Sequence, residues 1–161
     1  MPHFSSITHF HLFEEGAERI SKCLNLITND QLYQTPNPSI TAIGNQVQHL
    51  NGNIRQWLGE GLLNLPFQRS RSSEFINTSL QKKDLHALWQ QLESDLTPHL
   101  AILDKLDMTA SVTIQGFSKT NLAAWMHVLE HFSYHMGQIS LLTKFFTEED
   151  LSYYGGLDLE K

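Results

Sequence analysis

Apolar residues recur along the chain at three-to-four spacing rather than in alternation, and glycine and proline punctuate the runs; the pattern predicts four long helices with irregular connections. The first run, about residues 5 to 28, puts Ile7, Phe10, Phe13, Ala17, Ile20, Leu24 and Ile27 on one face, with Asn29-Asp30 as its stop. Thr35-Pro36-Asn37-Pro38 forbids a helix, so Ser39 is the expected N-cap of a second helix reaching about Leu58. Its core stripe is Ile43, Val47, Leu50, Ile54 and Trp57. From Gly59 and Gly61 through Pro66 to about Ser79 the chain reads as irregular for roughly twenty residues. A neighbour reached by a tight turn needs only ~2–8 residues, so this length predicts parallel second and third helices joined by a crossover.

The third helix is expected from near Lys82, carrying Leu85, Leu88, Trp89, Leu92, Leu96, Leu100 and Leu103 inward, with Pro98 kinking or restarting it. Residues 107 to 117 hold an alternating β-branched stretch that suits a short extended arm without an evident strand partner. The fourth helix spans about Thr120 to Phe146. Glu148, Glu149 and Asp150 oppose the dipole at its C-terminus and are expected to open a final turn. The fold class is therefore all-α, a four-helix bundle forming one domain over residues 1–161.

Composition narrows the function. The chain has 161 residues, close to the ~150-residue prior for one domain and enough to bury a sizeable core. Charged residues make up only 17%, and the polar complement is Asn, Gln, Ser, Thr and nine His. With a net charge of −6 and no basic block, the electrostatic footprint of a nucleic-acid binder is missing. The longest apolar stretches fall far short of the ~20 residues a membrane helix needs. The single cysteine, Cys23, and a start without a basic n-region or apolar h-region make a cytoplasmic location the expectation. Cys23 itself sits at core spacing and reads as a packed residue, and Trp57, Trp89 and Trp125 read as bundle anchors.

The chemistry lies in the fourth helix, where His127, His131 and His135 recur every four residues and span only about 80° of one face, with Gln138 between the first two. A His-x-x-x-His pair sets two ring nitrogens roughly 6 Å apart along one side, within reach of a shared cation. In the second helix Gln46, His49 and Asn53 form a polar border beside the apolar stripe, and His49 supplies a third imidazole if that border faces the pair. Three imidazoles leave coordination positions open, as in a catalytic site. Three consecutive turns cannot all reach one small ion, so His127 reads as an outer partner or an ordinary bundle histidine. Gln138 and Asn53 are placed to hold a bound water or a ligand imidazole. Arg55, Arg69 and Arg71 are the candidates for an anionic substrate, against simple surface solvation. Glu130 lies about 60° from the nearest member of the stripe and reads as a surface group. His3, His9, His11, His86 and His99 lack ligand spacing and read as structural or exposed.

"VQHLNGNIRQWL" around His49 and "HVLEHFSYHMGQISLL" around His131 and His135 resemble the DinB-like (YfiT-like) superfamily, grouped as metal-dependent hydrolases on four-helix bundles with a histidine triad. The order of elements fits over nearly the whole chain. The family's first ligand maps to His49 and its final His-x-x-x-His pair to His131 and His135; Met136-Gly137-Gln138 matches the family's His-x-Gly-Gln ending, and "RSRSSEF", Arg69 to Phe75, resembles one branch of the group. The resemblance implies one divalent metal, zinc or nickel foremost with iron compatible, a crossover topology and homodimers. It implies a small-molecule substrate, with low-molecular-weight thiols among those of the group, and leaves hydrolysis and thiol transfer both open. The rival reading is a non-catalytic ligand-binding or dimeric interaction bundle whose histidines hold a structural metal or none.

Overall fold

The computed structural model of the chain describes residues 3–160. Its first long helix is continuous but not uniform: α1 (Phe4–His9) and α2 (Glu15–Leu26) are joined by a π-helical turn, Phe10–Glu14. The wider turn shifts the phase of the stripe. Phe10, expected inward, is exposed, while Thr8, Leu12, Phe13, Gly16 and Ile20 are buried. Thr8 is tolerated there because its hydroxyl donates to the Phe4 carbonyl and accepts from Trp125 Nε1 at 2.9 Å.

The second long helix begins later than expected. Ser39 is not its cap: the Ser39 N–H donates to Asn37 Oδ1 in a side-chain turn, and α3 (Ile43–Ile54) starts after Ala42. Gly59 and Gly61 do not end it either. A second π-helical turn, Arg55–Glu60, leads into α4 (Gly61–Leu63), which stops at Asn64 in the left-handed region. Every residue of α3 is buried, including Asn45, Gln46, Gln48, His49, Asn51 and Asn53, which is why so many of its polar side chains are hydrogen-bonded inside the molecule.

The crossover is not wholly irregular, because α5 (Arg71–Ile76) packs on α3 within it. After it come α6 (Lys82–Leu96), opened by a reciprocal Gln81–Asp84 cap, and a 3₁₀ segment, Thr97–Lys105, that Pro98 starts. Asn51 reaches the Leu88 carbonyl and Gly59 lies against Leu96. The offset is 37 residues in both cases, so α3 and α6 run parallel, as the long connection requires.

Residues expected as an unpaired arm form a hairpin. β1 (Ser111–Ile114) pairs antiparallel with β2 (Phe117–Thr120), Ile114 opposite Phe117. Gln115 and Gly116 between them both have positive φ, 53° and 79°, the conformation of a tight two-residue hairpin turn. Thr120 then caps α7 (Asn121–Thr147) by accepting from the Ala123 N–H. Glu148 ends α7 in the left-handed region rather than opening a turn. Beyond it, buried Leu151 and half-buried Tyr153 fold the tail back onto the bundle, where the Tyr153 hydroxyl meets Ser140 Oγ and the buried Cys23 Sγ. None of the described helices is long and apolar enough to cross a membrane.

Candidate metal centre

The site forms where α3 crosses α7. Contacts of α3 and the π-helical turn after it pair Gln46 with His135, His49 with His131 and Trp57 with His127, so the helices are antiparallel and the polar border of α3 lies on the histidine stripe. Ring centroids are 5.0 Å apart for His49–His131, 4.9 Å for His49–His135 and 4.6 Å for His131–His135. One ligand atom from each lies within 4.8 Å of the others. His49 and His131 already meet Nε2 to Nε2 at 2.9 Å.

Each ring is aimed by what holds its other nitrogen. Glu74 Oε2 lies 2.9 Å from His49 Nδ1. Burial opposes ionisation of this carboxyl, but hydrogen bonds from His49 and Arg69 and the Arg69 charge outweigh burial and hold it below its ordinary value. An ionised carboxylate only accepts, so the bond takes its proton from His49 Nδ1 although Arg69 Nη2 lies 3.2 Å from the same nitrogen, and in the neutral ring the Nε2 lone pair then faces α7. Gln46 Nε2 donates to the Thr41 carbonyl, leaving its Oε1 to accept from His135 Nδ1 at 3.2 Å. The His135 Nε2 lone pair is free in the same sense.

Burial is also the first cause of the low basicity of the pair on α7. With added repulsion from His135, His49, His127 and Arg69, it holds His131 down to about 3, and with His49 it holds His135 down to about 4. Both rings are therefore neutral near pH 7, the state in which imidazole binds a metal. Three imidazoles are a donor set that suits a borderline divalent cation at about 2.0–2.1 Å, with positions left for other ligands.

The other expected residues separate into two groups. His127 stays outside the triad: it lies between Trp57, at 4.2 Å between centroids, and His131, at 5.2 Å. Gln138 lines a groove of about 390 Å³ with His135, Gln46, Tyr134 and the Ser39–Thr41 segment. Asn53 is buried one turn beyond His49, and its Oδ1 has no hydrogen-bond partner among the described residues. Arg69 comes to the site, but as a partner of Glu74 rather than a free cation. Arg55 pairs with Asp95 of α6 at 2.7 Å, and Arg71 is exposed over the Phe75 ring. Glu130 lines a separate groove between α2 and α7 with His11, Glu15 and Arg19. Sequence reasoning missed Glu74; the only signal was its place in the "RSRSSEF" stretch beside Arg69.

Comparisons with known proteins bear on the fold and the family. A search of curated proteins finds no match. The crystal structure of a DinB-like protein from Bacillus cereus ATCC 10987 superposes with a TM-score of 0.67 at 20% sequence identity, covering 89% of this chain and 90% of that one, which shows a shared fold. A family profile described as "Protein of unknown function (DUF1572)" matches residues 6–155. With its DinB-like helical bundle and its clustered His49, His131 and His135, the chain belongs to the DUF1572 family.

Proposed function

We propose that the protein binds one divalent metal ion, zinc or nickel foremost, through His49, His131 and His135, and acts on a small molecule as a metal-dependent hydrolase or thiol transferase. The observation that carries this reading is the convergence of three imidazole nitrogens within 4.8 Å, two of them on rings held neutral by burial. Such an ion supplies Lewis acidity and lowers the pKa of a bound water or thiol. The chain's own residues do the rest. Glu74 and Gln46 fix two of the ligand rings, the Asn53 carbonyl oxygen one turn further along α3 is a buried acceptor without a partner among the described residues, and the groove along His135 and Gln138 gives a small substrate access. Among the described residues Glu74 is the carboxylate hydrogen-bonded to the triad, and the neighbouring histidine, His127, is the side chain placed to hold or move a proton there. A homodimer in the cytoplasm belongs to the same proposal.

The test is titration of the cobalt-substituted protein with azide and with a simple thiol, followed by its visible absorption. Band shifts that saturate with either probe are expected of an ion with open positions. A spectrum unmoved by both would instead favour a closed, structural ion and the non-catalytic reading.

A further inference from the structure

The crossover contributes no ligand histidine, yet it places two charged side chains against His49 and buries them almost completely. The side chain of Arg69 is 4% exposed and that of Glu74 8%. Their geometry is that of a clamp. Arg69 Nε donates to Glu74 Oε1 at 2.6 Å and Nη2 to Oε2 at 2.8 Å, so both carboxylate oxygens are gripped by one planar fork. Arg69 Nη1 donates to Gln56 Oε1 at 3.1 Å, tying the guanidinium to the π-helical turn after α3. The backbone around Glu74 is also pinned: Asn45 Nδ2 donates to the Glu74 carbonyl at 2.9 Å and to the Asn77 carbonyl at 3.0 Å. Gly52 makes room for this, because a Cβ there would run into Glu74 Oε1 and stand 3.0 Å from Arg69 Nε.

We propose that Glu74, locked by Arg69 and admitted by Gly52, is a positioning residue that fixes the tautomer and aim of His49 and thereby sets the affinity of the site for a divalent cation. The proposal rests on the metal-binding reading above. Its physical basis is that a carboxylate bonded to one imidazole nitrogen fixes which nitrogen faces the metal and strengthens that nitrogen as a donor. The guanidinium stops the carboxylate from rotating and cancels its charge, so the clamp orients the ligand ring without leaving a lone buried anion in the metal-free protein.

The experiment compares the native protein with Gly52→Ala, which displaces the carboxylate while favouring the helix, and with the double variant Arg69→Leu/Glu74→Leu, which leaves no unpaired charge. Two quantities are read: the His49 tautomer in the metal-free protein by ring-nitrogen NMR, and zinc affinity by competition with a chromophoric chelator. Expected are an Nδ1–H tautomer in the native protein, a mixture in both variants, and zinc affinity lower by about 10–100-fold in the variants with their helical circular dichroism unchanged. Native His49 protonated on Nε2, or unchanged zinc affinity in a folded variant, would overturn the proposal. A native protein that takes up neither zinc nor nickel refutes the metal reading instead, and the tautomer measurement then still decides whether Glu74 orients His49.

Discussion

His49 and Glu74 stand 25 residues apart in the chain and 2.9 Å apart in space, Nδ1 to Oε2, with neither side chain more than 8% exposed. The bond makes the crossover part of the site. A segment that the bundle needs only to connect two parallel helices also carries the group that aims one of the three imidazoles.

The ion pair behind that bond makes a prediction about stability. Arg69→Leu alone strands the Glu74 carboxylate in a buried place, and its expected cost is about 3–5 kcal/mol. Arg69→Leu/Glu74→Leu removes the stranded charge and is expected to recover most of that loss. Urea denaturation of the two variants checks this, and equal destabilisation in both would argue that the pair contributes through packing alone.

Protonation of the triad couples stability to pH. The folded-state values of His131 and His135, about 3 and about 4, lie below the roughly 6.5 of an unfolded histidine, so the unfolded state binds more protons between these limits. The stability of the metal-free protein is therefore full above about pH 6.5 and falls as the pH drops towards 4. Denaturation midpoints between about pH 7 and 5, above the titration range of most carboxylates, should fall steadily, and His131→Gln/His135→Gln should flatten the dependence. A flat native profile would mean that the two rings are not desolvated as described.

The hairpin is expected to matter to the bundle although the β2 strand is fully exposed. Ile114 is a buried core residue, and the adjoining turn presents Gln115 Oε1 to Trp57 Nε1 at 3.1 Å. Ile114→Ala should cost about 2–5 kcal/mol, read by chemical denaturation. A loss below about 1 kcal/mol would show that the site collapses around the smaller side chain.

What the sequence made legible follows from where periodicity operates. The α7 stripe and His49 lie on regular helices, so spacing put His131 and His135 on one face and His49 on a polar border able to meet it, and the resemblance to the DinB-like group joined the three. Glu74 lies on a six-residue helix inside a connection without an apolar period, and its role comes from a tertiary contact that no local pattern encodes. The π-helical turns were invisible for a related reason: Phe10 and Leu12 exchange places only because the backbone widens between them, and Gly59 and Gly61 look like stops although a wider turn carries the helix through them. The partner strand Phe117–Thr120 has no buried face, so it lacks the alternation by which strands are recognised; its one cue was the Gln115-Gly116 turn.

Whether His49, His131 and His135 hold an ion is decided by the metal content of the protein purified without a histidine tag, beside His49→Ala, His131→Ala and His135→Ala, each checked for helical circular dichroism. A three-histidine site requires about one divalent ion per chain in the native protein and none in the three folded variants. No ion in the native protein, and none taken up on adding zinc or nickel, would contradict it, as would a stoichiometric ion retained after His131→Ala.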